Sequence, residues 1–217
     1  MLNKIFTKTY ALTGVDKKEV LRYAGYRGET SSAIDDVLAA CIQRSENAFS
    51  YRVCYAVFPV ETLLCRWQDS GNLIKTRLQG AEYAVVFAAT VGLDIDRLIL
   101  AEESVSPTRA LFMQALGAER IERLCDVFCE EMQNGAKRAG YCAGARFSAG
   151  YGDFPLEKQR DIFAWLRPET HIGLTLNDGL LMSPTKSVTA ILPIGKNEKN
   201  AAHFCADCTK ENCQFKR

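Results

Sequence analysis

The chain has 217 residues and a mass of 24.1 kDa; 47% of the residues are hydrophobic and 24% are charged. These fractions are those of an ordinary globular protein and exclude a largely disordered chain. The 27 basic residues nearly balance the 26 acidic ones, so the net charge of +1 gives no indication of nucleic-acid binding. Without a long uncharged apolar run or a signal-peptide core at residues 1–15, the sequence predicts a cytoplasmic protein that does not enter a membrane.

The first half of the chain mixes helical and extended patterns. A capping-box spacing predicts a short helix over Lys17–Ala24, and apolar residues at helical spacing predict a second helix at about Ser31–Ala48. Aromatic and β-branched residues predict a strand over Tyr51–Val60. The run Tyr83–Thr90 predicts another strand, buried on both faces.

The second half contains the clearest helix, from Pro107 to about Lys137. Gly117 weakens this helix, because glycine has a low helix propensity, and the sequence allows the helix to divide into two at this residue. A further helix is predicted from Asp153 and Pro155 to about Leu166, and a strand over Ser187–Ile194.

Helices and strands are mixed without a regular βαβ alternation, which favours the α+β class. We therefore predict a single α+β domain over residues 1–200, in which helices flank a mixed or antiparallel sheet. A short Cys-rich tail over residues 201–217 follows it.

Several common sites are absent from the sequence. There is no G-x-x-x-x-G-K-[ST] motif and no G-x-G-x-x-G between a strand and a helix, which excludes a P-loop and a Rossmann dinucleotide site. There is no G-x-S-x-G motif, and His171 and His203 are the only histidines, so a histidine-based catalytic triad has few candidates.

The segment Arg146–Tyr151, R-F-S-A-G-Y, is the stretch most typical of a ligand site. An arginine offers a rigid bidentate fork to a carboxylate, and small residues after it let a ligand approach the backbone. An aromatic ring next to such a loop suits a flat ring such as adenine. From the residues alone, an arginine in a glycine-containing loop is more often structural, so both interpretations stay open.

Three segments, taken together, resemble a known family. Arg146–Tyr151 matches an R-x-A-x-G-Y loop, and Leu176–Val188 matches an L-T-x-S-[YF]-x-M-x-P-x-x-S-V stretch. Glu122–Phe128 matches a helix with an acidic residue at the ligand, and Asp126 falls on that acid. In this order they resemble the reactivation domain of cobalamin-dependent methionine synthase, which binds S-adenosylmethionine; the resemblance is clearest over residues 107–194.

The resemblance implies a role for five residues in binding S-adenosylmethionine. Arg146 would pair with the methionine carboxylate, and Asp126 would accept a hydrogen bond from the amino group or another donor of the ligand. The backbones of Ser148 and Gly150 would line the adenosine, and Tyr151 would stand beside the ligand or the corrin face.

The resemblance also implies a function. In the family, the domain presents S-adenosylmethionine to an oxidised cobalamin while a flavodoxin-type protein supplies an electron. No D-x-H-x-x-G motif occurs here to bind cobalt, and the chain is too short for the barrels of the full enzyme. We therefore expect an accessory component of methionine synthase activity that acts in trans on a separate corrinoid methyltransferase, with a flavodoxin or ferredoxin-type reductant; whether it is itself an enzyme stays open.

Departures from the family pattern support a second hypothesis. Leu180 stands where the family has Tyr or Phe, and Asp126 is one methylene shorter than the usual Glu. Residues 1–80 do not resemble the start of the family domain, and its early aspartate ligand has no match. The alternative is a non-catalytic module that kept the fold, lost S-adenosylmethionine binding and senses metal or redox state.

The nine cysteines fall into two groups. An odd number without an export signal argues against a disulfide framework, and Cys125 and Cys129, one helical turn apart on an apolar face, are interpreted as core residues. The tail carries a C-x2-C-x4-C pattern whose spacing predicts zinc or an iron–sulfur cluster, with a fourth ligand from His203, a partner or solvent. The cysteines of this pattern are Cys205, Cys208 and Cys213. The alternative is that their thiols bind no metal.

Overall fold

A five-stranded antiparallel sheet forms the centre of the fold in a computed structural model that describes residues 4–28 and 30–196. The strands in chain order are β1 (Phe6–Tyr10), β2 (Tyr51–Pro59), β3 (Ala81–Thr90), β4 (Cys142–Ala143), β5 (Thr175–Leu176), β6 (Met182–Ser183) and β7 (Ser187–Gly195). Across the sheet the order is β1-β2-β3-β7-β4, while β5 and β6 form a separate hairpin. The α+β class and an antiparallel sheet, one of the two arrangements expected from the sequence, are confirmed.

Helices cover both faces of the sheet. They are α1 (Lys17–Tyr23), α2 (Ser32–Ser45), α3 (Val60–Arg66), α4 (Asn72–Leu78), α5 (Asp94–Glu103), α6 (Pro107–Arg138), α7 (Gln159–Leu166) and α8 (Pro168–His171). Successive strand residues point to opposite faces, so β3 contributes Phe87 to the core under α1, α2, α5 and α6, and Val86 to the core under α3, α4 and α7. The prediction that this strand is buried on both faces is confirmed from Ala84 onward.

Helix α6 is continuous over 32 residues. The side chain of Ser106 accepts a hydrogen bond from the backbone N–H of Arg109, and Pro107 occupies the first turn, so the helix begins as the sequence predicts. It does not divide at Gly117. A Cβ atom there would lie 2.9 Å from Cγ of Lys186, so the glycine makes room for this side chain rather than a break in the helix.

The predicted helix start at Asp153 is wrong. The helical structure begins with a 3-10 turn at Leu156–Lys158, and α7 follows. Instead, the Asp153 carboxylate accepts hydrogen bonds from the backbone N–H groups of Asn72 (2.6 Å) and Leu73 (2.9 Å) and so caps α4. These bonds lower the pKa of Asp153. Gly71 allows the approach, because a Cβ atom there would lie 2.4 Å from the Asp153 carbonyl oxygen.

Over residues 4–28 and 30–196, none of the helices is both long and apolar enough to span a bilayer. The Cys-rich tail predicted at residues 201–217 lies outside the described residues.

Candidate functional site

The guanidinium group of Arg146 forms ion pairs with two carboxylates of α6. Its Nη1 lies 2.5 Å from Oδ1 of Asp126, and its Nη2 lies 2.7 Å from Oε2 of Glu122. Glu122 and Asp126 are four residues apart and so share one face of the helix, where a planar fork can bond to both. The side chains of Arg146, Glu122 and Asp126 are 21%, 32% and 34% exposed. The structure thus brings two predicted site residues together and adds Glu122 to them.

The position of Arg146 is fixed by the sheet. Its neighbour Phe147 is buried and forms two backbone hydrogen bonds with Ile191 of β7, of 3.0 and 2.8 Å. Gly144 donates a further backbone hydrogen bond, of 2.9 Å, to the carbonyl oxygen of Pro193. Since α6 packs on the same sheet, the distance between Arg146 and Asp126 is set by the core rather than by a loose loop.

The residues after Phe147 form a tight turn. The N–H of Gly150 donates to the carbonyl oxygen of Phe154 at 2.8 Å, and the carbonyl oxygen of Ser148 accepts from the N–H of Tyr151 at 3.3 Å. Gly150 has a φ of +90°, which a side chain would disfavour. The Tyr151 side chain is 50% exposed. The N–H of Gly150 is therefore occupied within the turn, and about half of the Tyr151 side chain is exposed to solvent.

A cleft of about 460 Å³ lies beside the contact between α1 and α6. It is lined by Glu122 and Asp126, which together with Arg146 are called the Arg146 cluster below. On the α1 side it is lined by Asp16, Glu19, Arg22 and Tyr23. Asp16 caps α1 by accepting from two backbone N–H groups, at 3.0 and 3.2 Å. Arg22 forms an ion pair with Glu19 at 2.7 Å and lies over the ring of Tyr23, with its guanidinium carbon 4.3 Å from the ring centroid. This wall is therefore organised by its own contacts.

The opposite wall is the face of α6 that carries Glu122 and Asp126, together with Glu119, Arg120 and Arg123. Glu119 and Arg120 form a buried ion pair, and the Glu119 carboxylate also accepts a hydrogen bond from the backbone N–H of Asp16 on the other wall. Counting both walls, the cleft is lined by five carboxylates and three guanidinium groups. It is a polar site that carries charges of both signs.

Electrostatics keeps Arg146 charged. Burial acts to lower the pKa of its guanidinium group, but the surrounding acidic groups, Glu122 and Asp126 among them, outweigh burial and raise the pKa above its ordinary value. Beneath the cluster, burial raises the pKa of Cys125 and raises that of Cys129 to about 11. Both cysteines are therefore neutral thiols near pH 7, and their interpretation as core residues is confirmed.

Leu180 lies in the turn between β5 and β6. Its backbone has a φ of +63°, and its N–H donates to the carbonyl oxygen of Asn177 at 3.1 Å. The hairpin is held by Arg160 of α7, which donates to the carbonyl oxygen of Asp178 at 2.7 Å. The departure from the family pattern thus falls on a turn with an unusual backbone conformation for leucine.

Within the described part of the chain, no group of three or more His, Cys, Asp or Glu side chains is arranged to hold a metal ion. The predicted metal ligands Cys205, Cys208 and Cys213 lie outside the described residues. The tail site therefore stays a prediction.

Comparison with known proteins supports the fold. No protein-family model matches the sequence, and no curated protein sequence matches it either. Among solved structures, the crystal structure of the MetH reactivation domain bound to AdoHcy is similar, with a TM-score of 0.62 and 16% sequence identity. The similarity covers 92% of this chain and 81% of that one. The chain therefore shares the fold of a methionine synthase reactivation domain, and the resemblance read from the sequence is confirmed at this level.

Proposed function

We propose that this chain binds S-adenosylmethionine in the cleft between α1 and α6. We further propose that it acts in trans as an accessory component that reactivates a corrinoid-dependent methyltransferase such as a methionine synthase. In this role it presents the methyl donor to the corrinoid of the partner. A flavodoxin- or ferredoxin-type protein supplies the electron that the reaction needs.

The observation that carries the proposal is the contact between Arg146 and Asp126 at the edge of the cleft. The resemblance assigns both residues to the ligand, and they come from segments 20 residues apart in the chain. They meet in a fold similar to that of a domain whose structure was solved with AdoHcy. An ion pair alone is common in proteins, so it is this combination that supports a ligand site.

The ion pairs of Arg146 define how an amino-acid group would bind. A guanidinium group has more N–H donors than the two that contact Glu122 and Asp126, so a ligand carboxylate can share the group with them. The ammonium group of the same ligand is positively charged and would pair with these carboxylates. The cluster therefore offers both partners that the methionine moiety requires.

The remaining charge and size of the cleft suit the rest of the ligand. S-adenosylmethionine carries a sulfonium in addition to the ammonium and carboxylate groups, so it has a net positive charge. The cleft has more carboxylates than guanidinium groups, even when Arg146 is counted with the latter. Its volume of about 460 Å³ lies within the range of about 300–1,000 Å³ that is usual for small-molecule sites.

Binding is tested by titration calorimetry with S-adenosylmethionine. We expect the wild-type chain to bind, and Arg146→Ala to bind about 10- to 150-fold more weakly, since a hydrogen bond to a charged group contributes about 1.5–3 kcal/mol. Arg66→Ala is the matched control, because Arg66 forms an ion pair with Asp161, at 3.0 Å, away from the residues lining the cleft. Wild-type affinity in Arg146→Ala would remove this residue from the site.

Reactivation is tested by mixing the chain with a corrinoid methyltransferase that lacks this domain, a reductant and S-adenosylmethionine labelled in its methyl group. Label is expected to reach the partner only when the chain is present, and less of it with Arg146→Ala. The chain purified alone from cells supplied with cobalamin is expected to show no corrin absorbance. A chain that binds no S-adenosylmethionine at millimolar concentration would favour the alternative, a module that senses metal or redox state.

A further inference from the structure

One tyrosine lines the cleft on the α1 side, and a second, from a distant segment, lies near the carboxylates of the other wall. Tyr23 is the last residue of α1 and lines the cleft on that side. Tyr151 follows the turn at Gly150 and lies next to the ion-paired Arg146 and Glu122. Burial raises the pKa of the Tyr151 hydroxyl; the nearby Glu122 raises it further, while Arg146 acts to lower it.

The ring of Tyr23 is held in place by a chain of contacts. Both carboxylate oxygens of Glu19 accept hydrogen bonds from Arg22, at 2.7 to 3.1 Å, and the Arg22 guanidinium lies over the Tyr23 ring. A side chain fixed in this way loses little freedom when a ligand binds against it. Tyr23 is also partly buried against the core and lines the cleft, so its side chain has a contact with the interior as well as with Arg22.

We infer that Tyr23 is a specificity-determining residue that stacks on the adenine ring of the ligand. The inference rests on the proposed function, because it assumes an adenosine-containing ligand. Every purine presents a flat π face, and tyrosine rings bind such faces in many nucleotide sites. The Arg146 cluster would hold the amino-acid end of the ligand, and the α1 wall would hold the nucleoside end.

This assignment gives α1 a role that its sequence does not reveal. The α1 helix lies in the part of the chain for which the sequence shows no resemblance to the known family. A purely structural tyrosine would need only the apolar contact with the core. A tyrosine that reads a base needs its aromatic ring, and this difference can be measured.

The test is titration calorimetry with S-adenosylmethionine, adenosine and methionine as separate probes. Stacking of a base on an aromatic ring changes affinity by about 5- to 150-fold, so Tyr23→Leu is expected to weaken S-adenosylmethionine and adenosine by this factor. Tyr23→Phe keeps the ring and is expected to bind like the wild type. Binding of methionine, which has no base, is expected to be unchanged in both variants.

Tyr83→Leu is the matched control, since Tyr83 is an exposed tyrosine of β3 that does not line the cleft. If Tyr23→Leu does not fold, as judged from its thermal melting, Arg22→Gln takes its place, because it releases the ring. Unchanged S-adenosylmethionine affinity in the folded variant overturns the inference and leaves the proposed function standing. If the wild-type chain binds adenosine but not S-adenosylmethionine, and Tyr23→Leu weakens adenosine binding, the proposed function is overturned while the inference about Tyr23 stands. A chain that binds neither probe overturns both.

Discussion

Replacing Arg146 by alanine is expected to destabilise the fold in addition to weakening the proposed ligand site. The substitution leaves Glu122 and Asp126 on one face of α6 without the guanidinium that joins them. Like charges four residues apart on a helix repel each other by about 0.2–0.5 kcal/mol. The same change removes two charge-assisted hydrogen bonds from a cluster that is only partly exposed to solvent.

The size of the effect follows from this exposure. A hydrogen bond to a charged group contributes about 1.5–3 kcal/mol when buried, and a fully exposed ion pair contributes about 0–1 kcal/mol. The carboxylates here are about one-third exposed, so each bond is worth about 1 kcal/mol. With the repulsion included, Arg146→Ala should cost about 2 kcal/mol. In a chain of this size that corresponds to a melting temperature lower by about 4–8 °C.

The assay is urea unfolding of a double-mutant cycle. Arg97→Ala is the matched control. Arg97 forms an ion pair with Asp94 at 2.7 Å, the same distance as between Arg146 and Glu122, but the side chains of Arg97 and Asp94 are both well exposed. The control should cost less than about 0.5 kcal/mol. In an Asp126→Asn background the cost of Arg146→Ala should fall by about 1 kcal/mol. Equal effects of Arg146→Ala and Arg97→Ala, without coupling to Asp126, would refute the reasoning.

Three further predictions concern other parts of the chain. Arg167 is exposed, ends α7 and has a φ of +46°, so Arg167→Gly should raise the free energy of unfolding by about 0.5–1 kcal/mol in urea titrations. Near neutral pH, maleimide should label the exposed Cys65 in the folded protein, but it should label Cys129 only after unfolding, because Cys129 is buried and burial raises its pKa. Mass spectrometry distinguishes the two sites, and labelling of Cys129 in the folded protein would contradict its burial. Anaerobically purified protein should contain zinc or iron by elemental analysis, and a metal-free wild type would contradict this. Changing Cys205, Cys208 and Cys213 to Ser should remove the metal and leave the melting temperature of the domain unchanged.

The elements that the sequence predicted are those with a strong periodic pattern. Strands β2, β3 and β7 and helix α6 each have many buried residues at the spacing of their class, and all four appear close to the predicted bounds. Strand β1 was missed because it is an edge strand without a fully buried residue, so it lacks the apolar alternation. The short helices α3 and α4 were missed because tertiary contacts, such as the Asp153 cap on α4, replace local signals.

The site was predictable only in part. The loop at Arg146 and the acid at Asp126 could be found because the family resemblance marks both. Glu122 could have been found from its spacing of four residues from Asp126, which puts two carboxylates on one helix face. Tyr23 carried no such signal, because α1 meets α6 through tertiary contacts such as the bond from the Asp16 N–H to Glu119.

The residues of α6 that set the position of the helix differ from those that would contact the proposed ligand. Leu124 and Phe128 face the sheet and are fully buried, so their packing fixes the helix in position. Glu122 and Asp126 alternate with them along the same turns and face the cleft. Phe147 holds Arg146 to that sheet from the other side. The ion-paired cluster is therefore positioned by buried contacts that tolerate apolar substitution, while the nucleoside end of the proposed site depends on α1, which differs in sequence from the known family.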